Sequence, residues 1–212
     1  MTFTDRRDYI RQTYATETAA QKKARESLTD PNDQISIHPE DGRFLQCLIH
    51  LAKVKTIVEI GTLGGYSALW MADALPDDGL LTTIEYDPRR AAIARDNTKH
   101  EKKIKIIEGD ALTVLPQLSQ DGPFDMAFID ADKLQYGHYL DWAEENIRKD
   151  GLIICDNAFL FDAVWKDGPV DRVRETARRI MRDVNTRLAD PEKYHAILLP
   201  TVEGMAVAQK RF

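Results

Sequence analysis

The chain has 212 residues, the length of one large domain, and 43% of them are hydrophobic and 30% charged. The formal net charge of −6 argues against a protein whose main task is to bind DNA or RNA, since phosphate binding needs clustered cations. No stretch approaches the roughly 20 consecutive apolar residues of a membrane span. We therefore expect a soluble globular protein that binds neither nucleic acid nor membrane.

The N-terminus and the cysteines both indicate a cytoplasmic protein. Charged side chains stand where a secretion signal would have its apolar stretch. Cys47 and Cys155 lie far apart and form no CxxC pair. We expect two reduced thiols rather than a disulfide or a zinc site.

Residues 1–34 are predicted to form a charged helical segment that precedes the main domain. Their apolar side chains recur only at wide spacing, and Asp30–Pro31–Asn32–Asp33 is typical of a turn. This segment is interpreted as a lid or a dimer arm, with a loosely docked terminal helix as the equal alternative. Residues 35–212 are predicted to form one domain.

Regular elements begin near residue 42. In chain order, the apolar pattern predicts a helix over 42–52, a strand over 56–60, a helix over 66–75, a strand over 80–85, a helix over 88–100, a strand over 104–107, a helix over 111–118, a strand over 124–129, a helix over 136–148 and a strand over 152–155. Strands that alternate with helices of this length form βαβ units. This part of the chain therefore predicts a mostly parallel sheet.

The last part of the chain has a different pattern. A long helix over 170–188 precedes two strands, over 194–199 and 205–208, which are joined by a short connection. A short connection indicates a hairpin, so the last strand is expected to be antiparallel. We predict an α/β fold with a doubly wound, mostly parallel seven-stranded sheet.

Three signals of a nucleoside ligand follow the first three strands, where open α/β sheets bind ligands. Gly61–Gly65 forms a glycine-rich turn into a helix, but Leu63 stands where the dinucleotide fingerprint needs its second glycine. Glu85 ends the second strand and has the reach to accept both ribose hydroxyls. Gly109–Ala111 follows the third strand and could flank an adenine ring. Together they favour a nucleoside cofactor without a pyrophosphate.

Acidic and amide side chains follow the fourth and fifth strands. Asp130, Asp132 and Lys133 come directly after the fourth strand, and Asp156 and Asn157 end the fifth. Neighbouring strands would bring three oxygen ligands to one edge, a set that selects Mg²⁺, Ca²⁺ or Mn²⁺. The equal alternative is that these acids only face solvent.

The motifs resemble, as a set, the cation-dependent O-methyltransferases that use S-adenosylmethionine, the group of the caffeoyl-CoA and catechol enzymes. The resemblance is carried by Glu59-Ile-Gly-Thr-Leu-Gly-Gly-Tyr-Ser67, Gly109-Asp-Ala111, Phe128-Ile-Asp-Ala-Asp-Lys133 and Cys155-Asp-Asn157. It covers about residues 35–212 and implies the Rossmann-like fold of class I methyltransferases. It also implies a homodimer.

The resemblance implies a role for each matching residue. The cofactor would contact Ile37, Glu59, Gly61, Thr62, Ser67, Glu85, Ala111, Asp130 and Asp132. The metal ligands would be Asp130, Asp156 and Asn157, and Lys133 would be the general base, with Asp130 also catalytic. The implied reaction moves the methyl group of S-adenosylmethionine to a hydroxyl of a catechol-like small molecule, with Mg²⁺ first and Ca²⁺ or Mn²⁺ as alternatives.

The loop after Asn157 departs from the family pattern. Residues 158–165 carry Phe159, Phe161 and Trp165, whereas many relatives have small or polar residues after a Val-Leu-Trp sequence. This difference argues against a caffeoyl-CoA acceptor. Phe161 and Trp165 could stack on an aromatic acceptor, and burial is the alternative for at least one of them.

Two other function classes remain as alternatives. An NAD-dependent oxidoreductase would also use a Rossmann-like sheet. A non-enzymatic RNA-binding protein would use the basic face of the last long helix, formed by Arg172, Arg174, Arg178, Arg179 and Arg182. A solvated helix surface is the default interpretation of that face.

Overall fold

The computed structural model describes residues 3–171 and 173–212. The strands are β1 (Thr56–Ile60), β2 (Leu80–Glu85), β3 (Ile104–Glu108), β4 (Phe124–Ile129), β5 (Ile147–Cys155), β6 (Tyr194–Leu199) and β7 (Met205–Lys210). The helices are α1 (Arg6–Thr13), α2 (Ala19–Glu26), α3 (Pro39–Ala52), α4 (Tyr66–Ala74), α5 (Pro88–Thr98), α6 (Ala111–Leu118), α7 (Tyr136–Asn146) and α8 (Glu175–Leu188). Strands and helices alternate from β1 to β5, as predicted.

The seven strands form one sheet in the order β3-β2-β1-β4-β5-β7-β6. The pairs β2–β3, β1–β4 and β4–β5 are parallel, whereas β7 is antiparallel to both β5 and β6. The predicted seven-stranded α/β sheet with an antiparallel last strand is therefore confirmed. Strand order reverses between β1 and β4, and ligands of open α/β sheets bind at such a point, beyond the carboxyl ends of the strands.

The chain divides into two compact units. The first comprises Met1–Lys55 and Thr62–Gly109, and the second comprises Thr56–Gly61 and Asp110–Phe212. The first unit thus holds α1 to α5 with β2 and β3. Its largest fully buried side chains include Trp70, which closes over Gly42 at the start of α3, so that a side chain at residue 42 would collide with the indole ring.

The N-terminal segment packs against other helices of the first unit. Helix α2 lies against α4 and α5, with Ala24 and Leu28 buried beside Gly64. Thr18 and Gln21 form a capping box that starts the helix at Ala19. The role of residues 1–34 as a lid or a dimer arm stays a prediction.

The second unit contains the other five strands and helices α6 to α8. Strand β4 and residues 151–155 of β5 are buried almost throughout, as is typical of central strands whose two faces are covered by helices. Helix α8 buries Met181, Val184 and Leu188 at helical spacing. No helix among the described residues is both long and apolar enough to cross a membrane.

Several predicted helix boundaries differ from the structure by one to five residues, among them the start of α3 at Pro39 and the end of α5 at Thr98. The helix predicted over 136–148 ends at Asn146, because Ile147 already pairs with Phe124 as the first residue of β5. The helix predicted over 170–188 begins at Glu175. Arg172 of the predicted basic face lies outside the described residues.

Candidate functional site

The glycine-rich turn after β1 is organised in the first unit by the carboxylate of Glu85. Its Oε2 atom accepts hydrogen bonds from the backbone N–H groups of Thr62 at 3.2 Å and Leu63 at 2.7 Å. Its Oε1 atom accepts from the N–H of Asp87 at 2.9 Å. The buried carboxylate at the end of β2 is therefore held in one orientation beside the turn.

Residues of α5, β2 and the N-terminal segment form hydrogen bonds that support the turn. The Nδ2 atom of Asn97 donates to the backbone oxygen of Gly64 and to the hydroxyl of Ser27, both at 2.9 Å. The Thr62 hydroxyl lies 2.5 Å from that of Thr83 on β2. This bridge links helix α2, helix α5 and the turn within one unit.

The remaining predicted cofactor residues of the first unit are Ile37 and Ser67. Ile37 is buried just before α3, whose N-cap is His38. Ser67 lies in the first turn of α4 and is partly exposed. The backbone of Thr62 thus contacts the carboxylate of Glu85, and Ser67 lies on α4, the helix that follows the turn.

In the second unit, the ends of β1 and β4 meet closely. The N–H of Asp130 donates to the backbone oxygen of Ile60 at 2.9 Å. Gly61 has a φ of +98°, and a Cβ atom there would lie 2.0 Å from the backbone oxygen of Asp130. Only glycine fits this position, because both the backbone conformation and the close approach exclude a side chain.

The side chains of Asp130, Lys133 and Tyr136 form one connected network. The Nζ atom of Lys133 donates to Oδ1 of Asp130 at 3.1 Å and to the hydroxyl of Tyr136 at 2.6 Å. That hydroxyl lies 3.1 Å from the backbone oxygens of Ile129 and Asp156. Tyr136 is fully buried, so the lysine is anchored from the protein interior.

The three predicted metal ligands lie at the ends of two paired strands. Ile129 pairs with Cys155, so Asp130 and Asp156 each follow a paired residue, and the N–H of Asp156 donates to the oxygen of Ile129 at 3.0 Å. The Nδ2 atom of Asn157 lies 3.5 Å from Oδ2 of Asp156. The structure therefore brings these carboxylate and amide groups to one edge.

The donor chemistry of this edge fits a hard divalent cation. Two carboxylates and one amide offer oxygen ligands, which suit Mg²⁺, Ca²⁺ or Mn²⁺. The ammonium group of Lys133 already contacts Asp130, so the edge holds positive charge. Among the described residues, no group of three or more His, Cys, Asp or Glu side chains is placed to hold a metal ion. The predicted ligand set contains two such side chains, Asp130 and Asp156, and its third member, Asn157, is an amide.

Three further predicted cofactor residues belong to the second unit. Glu59 is fully buried on β1, and Ala111 is buried at the start of α6. Asp132 is exposed and caps the short helical turn that follows it, accepting from the N–H of Leu134 at 3.1 Å. Their roles at a cofactor stay predictions.

Tyr136 is a site residue that sequence reasoning missed. Its position three residues after Lys133, at the start of a helix, is the signal that could have found it, since residues at that spacing share a helical face. Burial in a low-dielectric surrounding, with the charge of Asp130 nearby, raises the pKa of Tyr136 well above 10. The hydroxyl therefore stays protonated and acts as a hydrogen-bond partner.

Cys155 is not a nucleophile in this site. The thiol is fully buried directly before Asp156 in the chain, and this burial raises its pKa to about 12. A thiol with so high a pKa is almost wholly protonated near neutral pH.

The predicted basic face of α8 is not uniform. Arg178 and Arg182 donate to backbone oxygens of the loop that follows Asn157. Arg174 and Arg179 are exposed. Two of the arginines are therefore occupied with the protein's own backbone, which weakens the basis of the RNA-binding alternative.

A family model and a curated relative both identify this chain as similar to O-methyltransferases. Residues 12–211 match the family model described as O-methyltransferase. A catechol O-methyltransferase from Niastella koreensis is 41% identical over 181 residues, covering 82% of this chain and 81% of the relative.

Two solved structures are similar over nearly the whole chain. The O-methyltransferase TomG from Streptomyces achromogenes, in complex with S-adenosylmethionine, has a TM-score of 0.86 and 29% identity, covering 96% of this chain and 95% of that one. An O-methyltransferase from Bacillus cereus, in complex with S-adenosylhomocysteine, has a TM-score of 0.84 and 28% identity, covering 95% of this chain and 96% of that one.

Proposed function

The chain belongs to the O-methyltransferase family and is an S-adenosylmethionine-dependent enzyme, and we propose that it methylates a catechol-like small molecule with the help of a divalent cation. The observation that carries this proposal is the edge formed by Asp130, Asp156 and Asn157, with Lys133 anchored on Asp130. Family membership favours this reaction over hydride transfer to NAD.

We propose that Asp130, Asp156 and Asn157 hold the cation. A bound divalent cation would favour the ionised form of a phenol hydroxyl, whose ordinary pKa is about 10. The paired ends of β4 and β5 hold the backbone of these ligands in place. Mg²⁺ is the proposed ion, with Ca²⁺ or Mn²⁺ as alternatives.

Lys133 is proposed to remove the proton from the acceptor hydroxyl after its ammonium group has lost a proton to solvent, a loss that a divalent cation bound at Asp130 would favour by charge repulsion. Its Nζ atom is held between the carboxylate of Asp130 and the hydroxyl of Tyr136, so it needs little rearrangement to face an acceptor at this edge. Asp130 orients the lysine as well as the cation. Much of the rate gain would come from this alignment, since no covalent intermediate is required.

The methyl donor supplies an electrophilic methyl group, and we propose that the remaining predicted residues bind it. Glu85, fixed by three backbone N–H groups, would accept hydrogen bonds from the ribose hydroxyls. Glu59, Gly61, Thr62 and Ser67 would line the methionine end. The other proposed contacts are Ile37, Ala111, Asp130 and Asp132.

A catechol-like acceptor is proposed because two adjacent hydroxyls match a site with both a cation and a base. The relative from Niastella koreensis is named a catechol O-methyltransferase. Exposed aromatic side chains in the loop after Asn157 would suit an aromatic acceptor. We further propose that the enzyme is a cytoplasmic homodimer.

A methyl-transfer assay with a panel of catechols and matched monophenols tests the proposal. We expect methylation of catechols only, loss of activity with EDTA, and recovery when Mg²⁺ is added in excess. Asn157→Ala should need a higher Mg²⁺ concentration for half-maximal rate, because it removes one ligand. Exposed Asn32→Ala serves as the matched control.

Two results would contradict the proposal in different ways. Full activity after exhaustive metal removal would exclude the role of the cation. Equal methylation of catechols and monophenols would exclude the paired-hydroxyl acceptor while leaving methyl transfer in place.

A further inference from the structure

The loop formed by residues 158–168, directly after the proposed metal ligand Asn157, has an uncommon backbone. Leu160, Phe161 and Asp162 have φ values of +47°, +53° and +63°, so three consecutive residues adopt the left-handed conformation. Residues other than glycine, asparagine and aspartate rarely adopt this backbone conformation. Such a run persists only where surrounding contacts hold it.

This loop, which follows Asn157 directly in the chain, presents aromatic rings at the protein surface. Phe161 is 65% exposed and Trp165 is 56% exposed, whereas neighbouring Leu160 and Ala163 are buried. Phe159 packs edge-on against Trp165, with ring centroids 5.1 Å apart. Buried residues therefore fix the base of the loop, while two large aromatic side chains face outward.

Three side chains of α8 bind the backbone of this loop. Arg182 donates from Nε to the oxygen of Val164 at 2.7 Å and from Nη2 to the oxygen of Lys166 at 2.8 Å, so its two acceptors flank Trp165. Asn185 donates from Nδ2 to the oxygen of Ala158 at 2.8 Å, immediately after Asn157.

Arg178 is the third side chain of α8 that binds this loop. It is only 7% exposed and donates from Nη1 to the backbone oxygens of Lys166, at 3.0 Å, and of Gly168. Residues 178, 182 and 185 share one face of the helix, since they are four and three positions apart. We call Arg178, Arg182 and Asn185 the anchoring row.

We propose that the anchoring row is a positioning device for acceptor binding: it holds loop 158–168 so that Trp165 and Phe161 form an aromatic wall beside Asn157. The inference rests on the proposed function and deepens it by naming residues that determine acceptor affinity. The two arginines of the anchoring row donate charge-assisted hydrogen bonds to backbone oxygens, and such bonds are roughly twice as strong as neutral ones. The row acts through the loop, so its members are positioning residues rather than catalytic ones.

Hydrogen–deuterium exchange measures the hold on the loop without requiring activity. Within the loop, the N–H groups of Ala163, Val164 and Lys166 donate to backbone oxygens of residues 160, 159 and 163. Arg182→Ala should raise the exchange rates of these groups about tenfold, because one charge-assisted contact pair is lost. Arg179→Ala, an exposed arginine of the same helix, is the matched control and should leave them unchanged.

Kinetics on the same variants test the consequence for the acceptor. Arg182→Ala should raise KM for a catechol about tenfold and leave KM for S-adenosylmethionine within about twofold of the wild type. Arg182→Lys keeps a positively charged donor group but loses the guanidinium fork that reaches both oxygens, so it should recover part of the loss. Arg178 is buried, so Asn185→Ala is the second variant if Arg182→Ala unfolds.

The outcomes separate this proposal from the proposed function. Unchanged loop exchange in both Arg182→Ala and Asn185→Ala would overturn it, and so would raised exchange with an unchanged acceptor KM. If the wild-type chain methylates no catechol, the proposed function fails. In that case the hydrogen–deuterium exchange rates would still test whether the anchoring row holds the loop. The affinity for a catechol, measured by calorimetry, would replace KM as the test of acceptor binding.

Discussion

At the residue scale, one buried hydroxyl connects the parts of the candidate site. Tyr136 touches the backbone at the ends of β4 and β5 and also binds Lys133. A tyrosine carries one donor proton, so it donates to one of the two backbone oxygens while accepting from the lysine. Lys133 and the backbone at these two strand ends therefore meet at a single side chain.

Lys133→Ala should reduce kcat by about 10²–10⁴-fold, the usual contribution of a general base. Lys133→Arg should be about as slow, because a guanidinium keeps the ion pair with Asp130 but does not give up its proton near neutral pH. Steady-state kinetics give kcat, and isothermal titration calorimetry should show that both variants still bind S-adenosylmethionine.

The control for these variants is Lys102→Ala, which changes an exposed lysine in the turn before β3. Its kcat should equal that of the wild type. Near-normal turnover by Lys133→Arg would show that the lysine supplies only positive charge, and the proposed base would have to be another group.

At the scale of secondary-structure elements, the N-terminal segment is tied to α5 by a buried carboxylate. Asp33 is 1% exposed and contacts Arg89 at 2.5 Å and Arg90 at 2.6 Å. Hydrogen bonds from Arg89 and Arg90 lower the pKa of Asp33 from its ordinary value of 3.8, although burial opposes them. The folded state therefore favours the ionised carboxylate.

Asp33→Asn should destabilise the protein at pH 7, and the loss of stability should be smaller at pH 3. A lowered folded-state pKa adds stability above the unfolded-state value, about 3.8, and this stability is lost as pH falls through the folded-state pKa. Urea unfolding at pH 7 and pH 3 measures the difference between variant and wild type. Exposed Asp77→Asn is the control and should match the wild type at both pH values.

A gap between Asp33→Asn and the wild type that stays the same at pH 3 would contradict this prediction. It would mean that the asparagine disturbs packing rather than removing a charge interaction. The comparison of wild type with Asp33→Asn is informative because the side chains of aspartate and asparagine have nearly the same shape.

At the scale of the whole molecule, the proposed homodimer is the testable feature. Strand β6 lies at one edge of the sheet and exposes Ile197 and Leu198. An exposed apolar edge strand is a surface that natural proteins commonly cover. Light scattering should give twice the chain mass of 24.2 kDa, and a mass of one chain at micromolar concentration would exclude the dimer.

Much of the fold follows from local patterns in the chain. Strands β1, β2, β4 and β6 begin and end where periodicity places them, because alternating or continuous apolar runs stop at glycine, proline or acidic residues. The end of α7 was harder to predict. Residues 147–151 become a strand because Ile147 pairs with Phe124, a contact between distant parts of the chain.

Some residues of the candidate site could likewise be predicted from local sequence, whereas others could not. The motif residues Gly61, Asp130, Lys133, Asp156 and Asn157 stand at strand ends, so the sequence alone could assign them to one edge of the sheet. Asn97 and the anchoring row are different. Most of their partners are backbone oxygens in other elements or loops. The sequence signal is a polar residue at a position that helical periodicity would make apolar.

The sequence by itself determined the order of elements, the strand-end motifs and the family, because these depend on residues close together in the chain. Only the tertiary structure decided what the arginines of α8 do. On the sequence they form one basic face, whereas in the structure Arg178 and Arg182 bind the loop after Asn157 and Arg179 is exposed. The physical reason is that a backbone oxygen can accept a hydrogen bond from any donor that folding brings near it, so neither composition nor spacing identifies its partner.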